Sequence, residues 1–134
     1  MIGVLIVSHG NLGESLIQCA AHVLGGPVPQ LEQLNVSAKD DPAAVLAALQ
    51  GMVQRLNQGD GVLILSDIYG ATPSNVVCRL LDPGRVEGVA GVNLPMLIRA
   101  LTYRSEPLPI MVQKAISGGV EGVLHITSEV CRVA

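Results

Sequence analysis

The chain has 134 residues, 49% of them apolar, 14% charged and 1% aromatic, with a formal net charge of −3. This describes one domain (residues 1–134) around an aliphatic core, burying roughly 65–70% of its unfolded surface, with apolar surface left over for a second copy of the chain. The eight Lys and Arg residues are scattered without an aromatic platform, which argues against nucleic acid; no apolar run reaches the ~20 residues of a membrane span, and the N-terminus lacks the basic start of a signal peptide, so a cytoplasmic protein is expected.

Strand and helix signals alternate along the chain. A first strand over 2–7 leads through Ser8-His9-Gly10 to a helix over 12–24, where Leu12, Leu16, Ala20 and Val23 recur at helical spacing, Asn11 and Glu14 form a capping box, and Gly25-Gly26 ends the run. A short strand over 30–35 precedes a second helix opened by Asp41 and Pro42, with Val45, Leu49, Met52, Val53 and Leu56 on its inner face. The third strand, 61–66, ends in Asp67 and feeds a helix over 73–81 with Thr72 as cap. A fourth strand over 86–91 reaches Asn93, the cap of a helix over 94–103. A helix over 107–117, with Leu108, Met111, Val112, Ala115 and Ile116 on one side, stops at Gly118-Gly119, and a last strand spans 122–127.

The strands are continuous Val/Ile/Leu runs, as required when helices cover both faces of a parallel sheet. The expected fold is therefore α/β, doubly wound and mainly parallel, in strand order 2-1-3-4. In that order the winding reverses between the first and third strands and opens a crevice at their carboxyl ends. His9 and Asp67 lie on its rim. A histidine or an aspartate alone at such a position is commonly structural, as a turn or cap residue, but the pair can act together. Cys19, Cys78 and Cys131 are odd in number and far apart, which excludes a zinc or disulfide framework and predicts buried free thiols. No metal site or cofactor is expected, since His22 and His125 fall inside a helix and a strand, away from the crevice.

Three motifs then become specific: Val7-Ser8-His9-Gly10, the run Leu65-Ser66-Asp67-Ile68-Tyr69-Gly70-Ala71-Thr72-Pro73-Ser74-Asn75, and Ala90-Gly91-Val92-Asn93-Leu94-Pro95-Met96-Leu97. In order and spacing the chain closely resembles the enzyme IIA domains of the mannose family of the bacterial phosphoenolpyruvate:sugar phosphotransferase system, from Met1 to about Thr127. The resemblance implies a phosphotransferase whose His9 takes a phosphoryl group from phospho-HPr and passes it to a separate enzyme IIB protein, with the membrane reached only through enzymes IIC and IID. It places Asp67 beside His9 and Thr72 as a hydroxyl at a helix start, and it implies a homodimer in which the last strand, Glu121 to Thr127, is the segment for exchange, antiparallel to the sheet. Ala71 stands where many members have a second glycine, and Ser74 where phenylalanine is common.

The chemistry fits these residues. A phosphorylatable imidazole presents one bare nitrogen while a carboxylate holds the proton on the other. The group in flight is nearly metaphosphate-like, so backbone N–H groups around Gly10, Gly70 and Ala71, with the Thr72 hydroxyl, are candidates to stabilise its oxygens. Thr72 is equally explained as a cap, as is Asn93; Tyr69, Asn93 and Pro95 are candidates to face a partner. The same carrier chemistry would serve a dihydroxyacetone kinase or a regulatory phosphotransfer branch, and a pure binding module would keep the fold without the transfer. A metal chelatase would need further ligands facing His9, and a phosphohistidine phosphatase an arginine beside it.

Overall fold

The structure, a computed structural model, describes residues 1–133. Its elements are β1 (Gly3–Ser8), α1 (Leu12–Leu24), β2 (Leu31–Asn35), α2 (Pro42–Leu56), β3 (Val62–Ser66), α3 (Thr72–Cys78), β4 (Val86–Ala90), α4 (Leu94–Thr102), α5 (Leu108–Glu121) and α6 (Ser128–Val133). The strands form one parallel sheet in the order β2-β1-β3-β4, as expected. Val4 lies between Leu31 and Leu63, and Leu65 beside Val89.

Because side chains alternate across a strand, the two central strands feed two cores. Val4, Ile6, Leu63 and Leu65 pack with residues of α1, α4 and α5 on one face. Leu5, Val7, Val62 and Ile64 pack with α2 and α3 on the other. Every residue of β1 and β3 is buried, which is why both read as unbroken apolar runs.

Two helix starts follow their expected caps. Asp41 Oδ1 accepts the Ala43 N–H at 3.3 Å ahead of Pro42, and Asn93 Oδ1 accepts the Met96 N–H at 2.9 Å. Two others differ. Asn11 makes no side-chain cap; Ser8, at the end of β1, accepts the Gly13 N–H at 3.0 Å instead. The cap position of α3 is Ala71, so the helix begins at Thr72 and ends at Cys78, earlier than the expected 73–81.

The last third of the chain departs most from expectation. Gly118 and Gly119 do not stop α5, which runs on to Glu121. A β-carbon on Gly118 would meet Arg99 Cβ at 2.7 Å, and one on Gly119 would meet Met96 Cε at 2.8 Å, so these glycines let α5 lie close on α4. The segment 122–127 forms no strand, and it leads into α6. An edge strand needs a neighbour to pair with, and the chain leaves α5 with Val123, Leu124 and Ile126 all at least 67% exposed. The cysteines are exposed, not buried, because Cys19 lies off the Leu16–Ala20 stripe of α1 and Cys78 and Cys131 face outward on α3 and α6. Leu12, Val23 and Ile116 likewise lie outside the core, at 39%, 56% and 47% exposure.

At the amino ends of the strands, the buried Arg104 guanidinium donates to the carbonyls of Ile2, Pro29 and Gln30 over 2.7–3.0 Å. It fastens the start of the sheet and leaves the carboxyl ends, where the loops after β1, β3 and β4 converge, for chemistry.

Candidate functional site

β1 and β3 are adjacent and parallel, so the residues that follow them emerge side by side. His9 Nδ1 lies 2.7 Å from Asp67 Oδ2, and the same oxygen accepts the His9 backbone N–H at 2.9 Å. Asp67 Oδ1 takes the Ile68 N–H at 2.9 Å. A carboxylate is acceptor-only, so its contact with Nδ1 selects the tautomer of the neutral imidazole that carries its proton there and leaves Nε2 bare. The His9 side chain is 51% exposed and that of Asp67 only 11%, so the imidazole is reachable from solvent with its carboxylate tucked behind it.

Burial pushes the Asp67 carboxyl up, but the N–H of His9, the His9 ring, the N–H of Ile68 and the charge His9 can carry together outweigh it, and the net shift is below the usual carboxylate value. Asp67 is therefore held in the charged form that an imidazolium-like ring needs opposite it.

The other expected site residues are placed as follows. Gly10 is exposed next to His9 with φ +52°, a left-handed conformation that glycine adopts without strain. Gly70, also left-handed at φ +85°, donates its N–H to Ser74 Oγ at 2.8 Å, so that donor is already engaged. The buried Ser74 in turn donates to the Ala71 carbonyl at 3.1 Å and pins the loop between Asp67 and α3. Thr72 is the first residue of α3, not its cap, so capping does not account for its hydroxyl. Tyr69 is 81% exposed in the loop after β3. Asn93 is the cap of α4, and its Nδ2 also donates to the Gly119 carbonyl at 3.2 Å. Pro95 is exposed in the first turn of α4 at the same end of the sheet. Between the Tyr69 loop, α3 and β4 lies a cavity of about 140 Å³, lined by Ser66, Ser74, Val77 and Val89 among others.

Ser8 and Ser74 are the residues that sequence reasoning missed as contributors. Both are buried serines whose hydroxyls tie a site loop to its helix. His22 and His125 lie elsewhere, exposed on α1 and in the segment after α5. Among the described residues no three His, Cys, Asp or Glu side chains converge on a point that could hold a metal ion, and no helix is long and apolar enough to cross a membrane.

Residues 3–114 match the EIIA-man family, described as the PTS system fructose IIA component. The chain is 32% identical over 130 residues to the PTS system mannose-specific EIIAB component of Escherichia coli (strain K12), covering 91% of this chain and 38% of that protein. It thus spans well under half the length of that relative. To the PTS system fructose-specific EIIA component of Bacillus subtilis (strain 168) it is 30% identical over 112 residues, 78% of this chain and 71% of the relative. Among solved structures, the phosphotransferase system component EIIA from Streptococcus agalactiae superposes with a TM-score of 0.81 at 28% identity, covering 93% of this chain and 97% of that one. The mannose/sorbose specific IIA subunit from Enterococcus faecalis superposes equally well, at 0.81, with 24% identity over 94% of this chain and 95% of that one, and shares the fold. The chain belongs to the mannose- and fructose-type enzyme IIA family of the phosphotransferase system.

Proposed function

We propose that the chain is a phosphocarrier in which His9 Nε2 takes a phosphoryl group from the phosphohistidine of HPr and hands it to an enzyme IIB protein for sugar uptake. The observation that carries this reading is the 2.7 Å contact between His9 Nδ1 and Asp67 Oδ2, which leaves the outer ring nitrogen as the nucleophile. In the transfer, the P–N bond to the donor imidazole breaks as a P–N bond to Nε2 forms. The Nδ1 proton stays in place, and Asp67 offsets the positive charge that grows on the His9 ring. Because donor and acceptor are both phosphoramidates, the step needs positioning and charge stabilisation more than driving force. The Gly10 and Ala71 N–H groups and the Thr72 hydroxyl are the groups to meet the equatorial oxygens. The engaged Gly70 N–H shapes the loop instead.

Tyr69, exposed beside the site, and Pro95 face the incoming partner. The exposed Val123, Leu124 and Ile126, together with the open edge of β4, support a homodimer in which this segment pairs with a second copy. Incubation with phosphoenolpyruvate, enzyme I and HPr, read by mass spectrometry, tests the assignment. The wild type is expected to gain one acid-labile phosphoryl group and folded His9→Ala none; a phosphoryl group retained on His9→Ala, or an unlabelled wild type, refutes it.

A further inference from the structure

Ser8 is fully buried, one residue before the nucleophile. Its Oγ accepts the Gly13 N–H at 3.0 Å across the turn from β1 into α1 and still has its own proton to give. Gln33, on β2, borders the same turn. Its Oε1 is buried without a hydrogen-bond partner, the only such side-chain atom among the described residues. Both oxygens reach into one nook: Gln33 Oε1 lies 3.0 Å, and Ser8 Oγ 3.1 Å, from the point where a β-carbon on Gly13 would sit. The nook exists because residue 13 is glycine, and within it the Ser8 hydroxyl is held by the Gly13 N–H and not by Gln33.

The turn they border holds the backbone of His9. The His9 N–H is taken by Asp67, and its carbonyl accepts the N–H of Leu12, the neighbour of Gly13 in the first turn of α1. The Ser8 carbonyl accepts the Val36 N–H at 2.9 Å, which ties the same turn to the chain after β2. From this geometry we infer that Ser8 is a positioning residue for phosphoryl transfer: its hydroxyl accepts from Gly13, and through the start of α1 it sets the His9 carbonyl and hence the ring's approach to Asp67. The role rests on the phosphocarrier reading. It differs from that of Asp67, because Ser8 touches neither the imidazole nor the phosphoryl group.

Ser8→Ala, Ser8→Thr and Gln33→Met are compared with the wild type in single-turnover transfer from phospho-HPr, with proton NMR of the His9 Nδ1–H and hydrogen exchange at the Gly13 amide. Ser8→Ala is expected to lower the rate at saturating donor about tenfold, as for a small misplacement of a reacting group, with the half-saturating donor concentration unchanged. The Nδ1–H signal should broaden and Gly13 should exchange faster, and Ser8→Thr, which keeps the hydroxyl, should restore all three. Gln33→Met, of similar shape, removes an oxygen that makes no hydrogen bond and should leave all three as in the wild type. A wild-type rate with a sharp Nδ1–H signal in folded Ser8→Ala overturns the inference, as does a loss of thermal stability with no change in rate. Where Ser8→Ala does not fold, Ser8→Cys, whose sulfur is a weaker acceptor for the Gly13 N–H, carries the test, and its wild-type behaviour overturns the inference. If the wild type takes no phosphoryl group, the phosphocarrier reading fails, and the Nδ1–H and Gly13 signals still decide whether the clamp exists.

Discussion

Replacing Asp67 by asparagine separates charge from shape. The carboxylate accepts the ring Nδ1–H and the backbone N–H of His9 on one oxygen and the Ile68 N–H on the other. An asparagine has one oxygen for the two sides. With its oxygen toward His9 it keeps the ring tautomer and sets its NH₂ against the Ile68 N–H. With its NH₂ toward His9 it opposes a backbone N–H and favours the tautomer that protonates Nε2, which removes the nucleophile.

Even in the better orientation the charge opposite the developing imidazolium is gone. Two unit charges ~4 Å apart interact by about 1 kcal/mol in water and about 4 kcal/mol at an effective dielectric of 20. With His9 half-exposed and Asp67 nearly covered, the site lies between these limits. A loss of about 2 kcal/mol of transition-state stabilisation corresponds to a rate about 30-fold lower. Asp67→Ala also loses the orientation of the ring and is expected to slow transfer by on the order of 10²-fold or more. The assay is single-turnover transfer from phospho-HPr at saturating donor, with a thermal melt to confirm folding. Unchanged rates in Asp67→Asn and Asp67→Ala would refute the reasoning and reduce Asp67 to a turn residue. A defect confined to the half-saturating donor concentration would also refute it, because that is the mark of docking.

Thr72→Val is expected to change stability by less than about 0.5 kcal/mol, because the residue is the first of α3 and not its cap, while transfer slows; a melting-temperature drop of the size of a lost cap with normal transfer would overturn this placement. The lowered Asp67 pKa has a sign that can be read: the charged form is the one favoured by folding, so its stabilising contribution is fully present above about pH 4 and is lost as pH falls through the folded value. Thermal melts from pH 6 down to pH 2 should therefore show a larger acid loss in the wild type than in Asp67→Asn, and parallel curves would count against it.

How much of this was legible in the sequence depended on whether a segment's structure is set by its own residues. β1 and β3 are covered on both faces, so burial alone wrote them as unbroken apolar runs. Asp41 and Asn93 announced helix starts because a cap acts within three residues of itself. The segment 122–127 has strand composition, yet a strand is a relation to a neighbour, and in the single chain this segment pairs with neither edge of the sheet. Gly118-Gly119 failed as a stop signal for a related reason. A glycine pair serves a helix end or a close helix crossing equally well, and only the presence of Met96 and Arg99 across the gap selects the second.

The site divides along the same line. The meeting of His9 and Asp67 followed from the sequence because parallel strands that are neighbours deliver their next residues to one place, and the order 2-1-3-4 made β1 and β3 neighbours. The hydroxyls behind that pair were hidden. Ser8 reaches Gly13 five residues on, outside the spacing of a capping box, and displaces Asn11 from the work its identity suggests. The start of α3 shows how a single position changes a chemical conclusion. Had the helix begun at Pro73, the Thr72 oxygen would have been turned onto a backbone N–H of its own first turn. Beginning at Thr72, with Ala71 at the cap and Ser74 holding Gly70 and Ala71 in place, the helix makes no capping demand on that hydroxyl, and this is what keeps the proposed phosphoryl contact open to it.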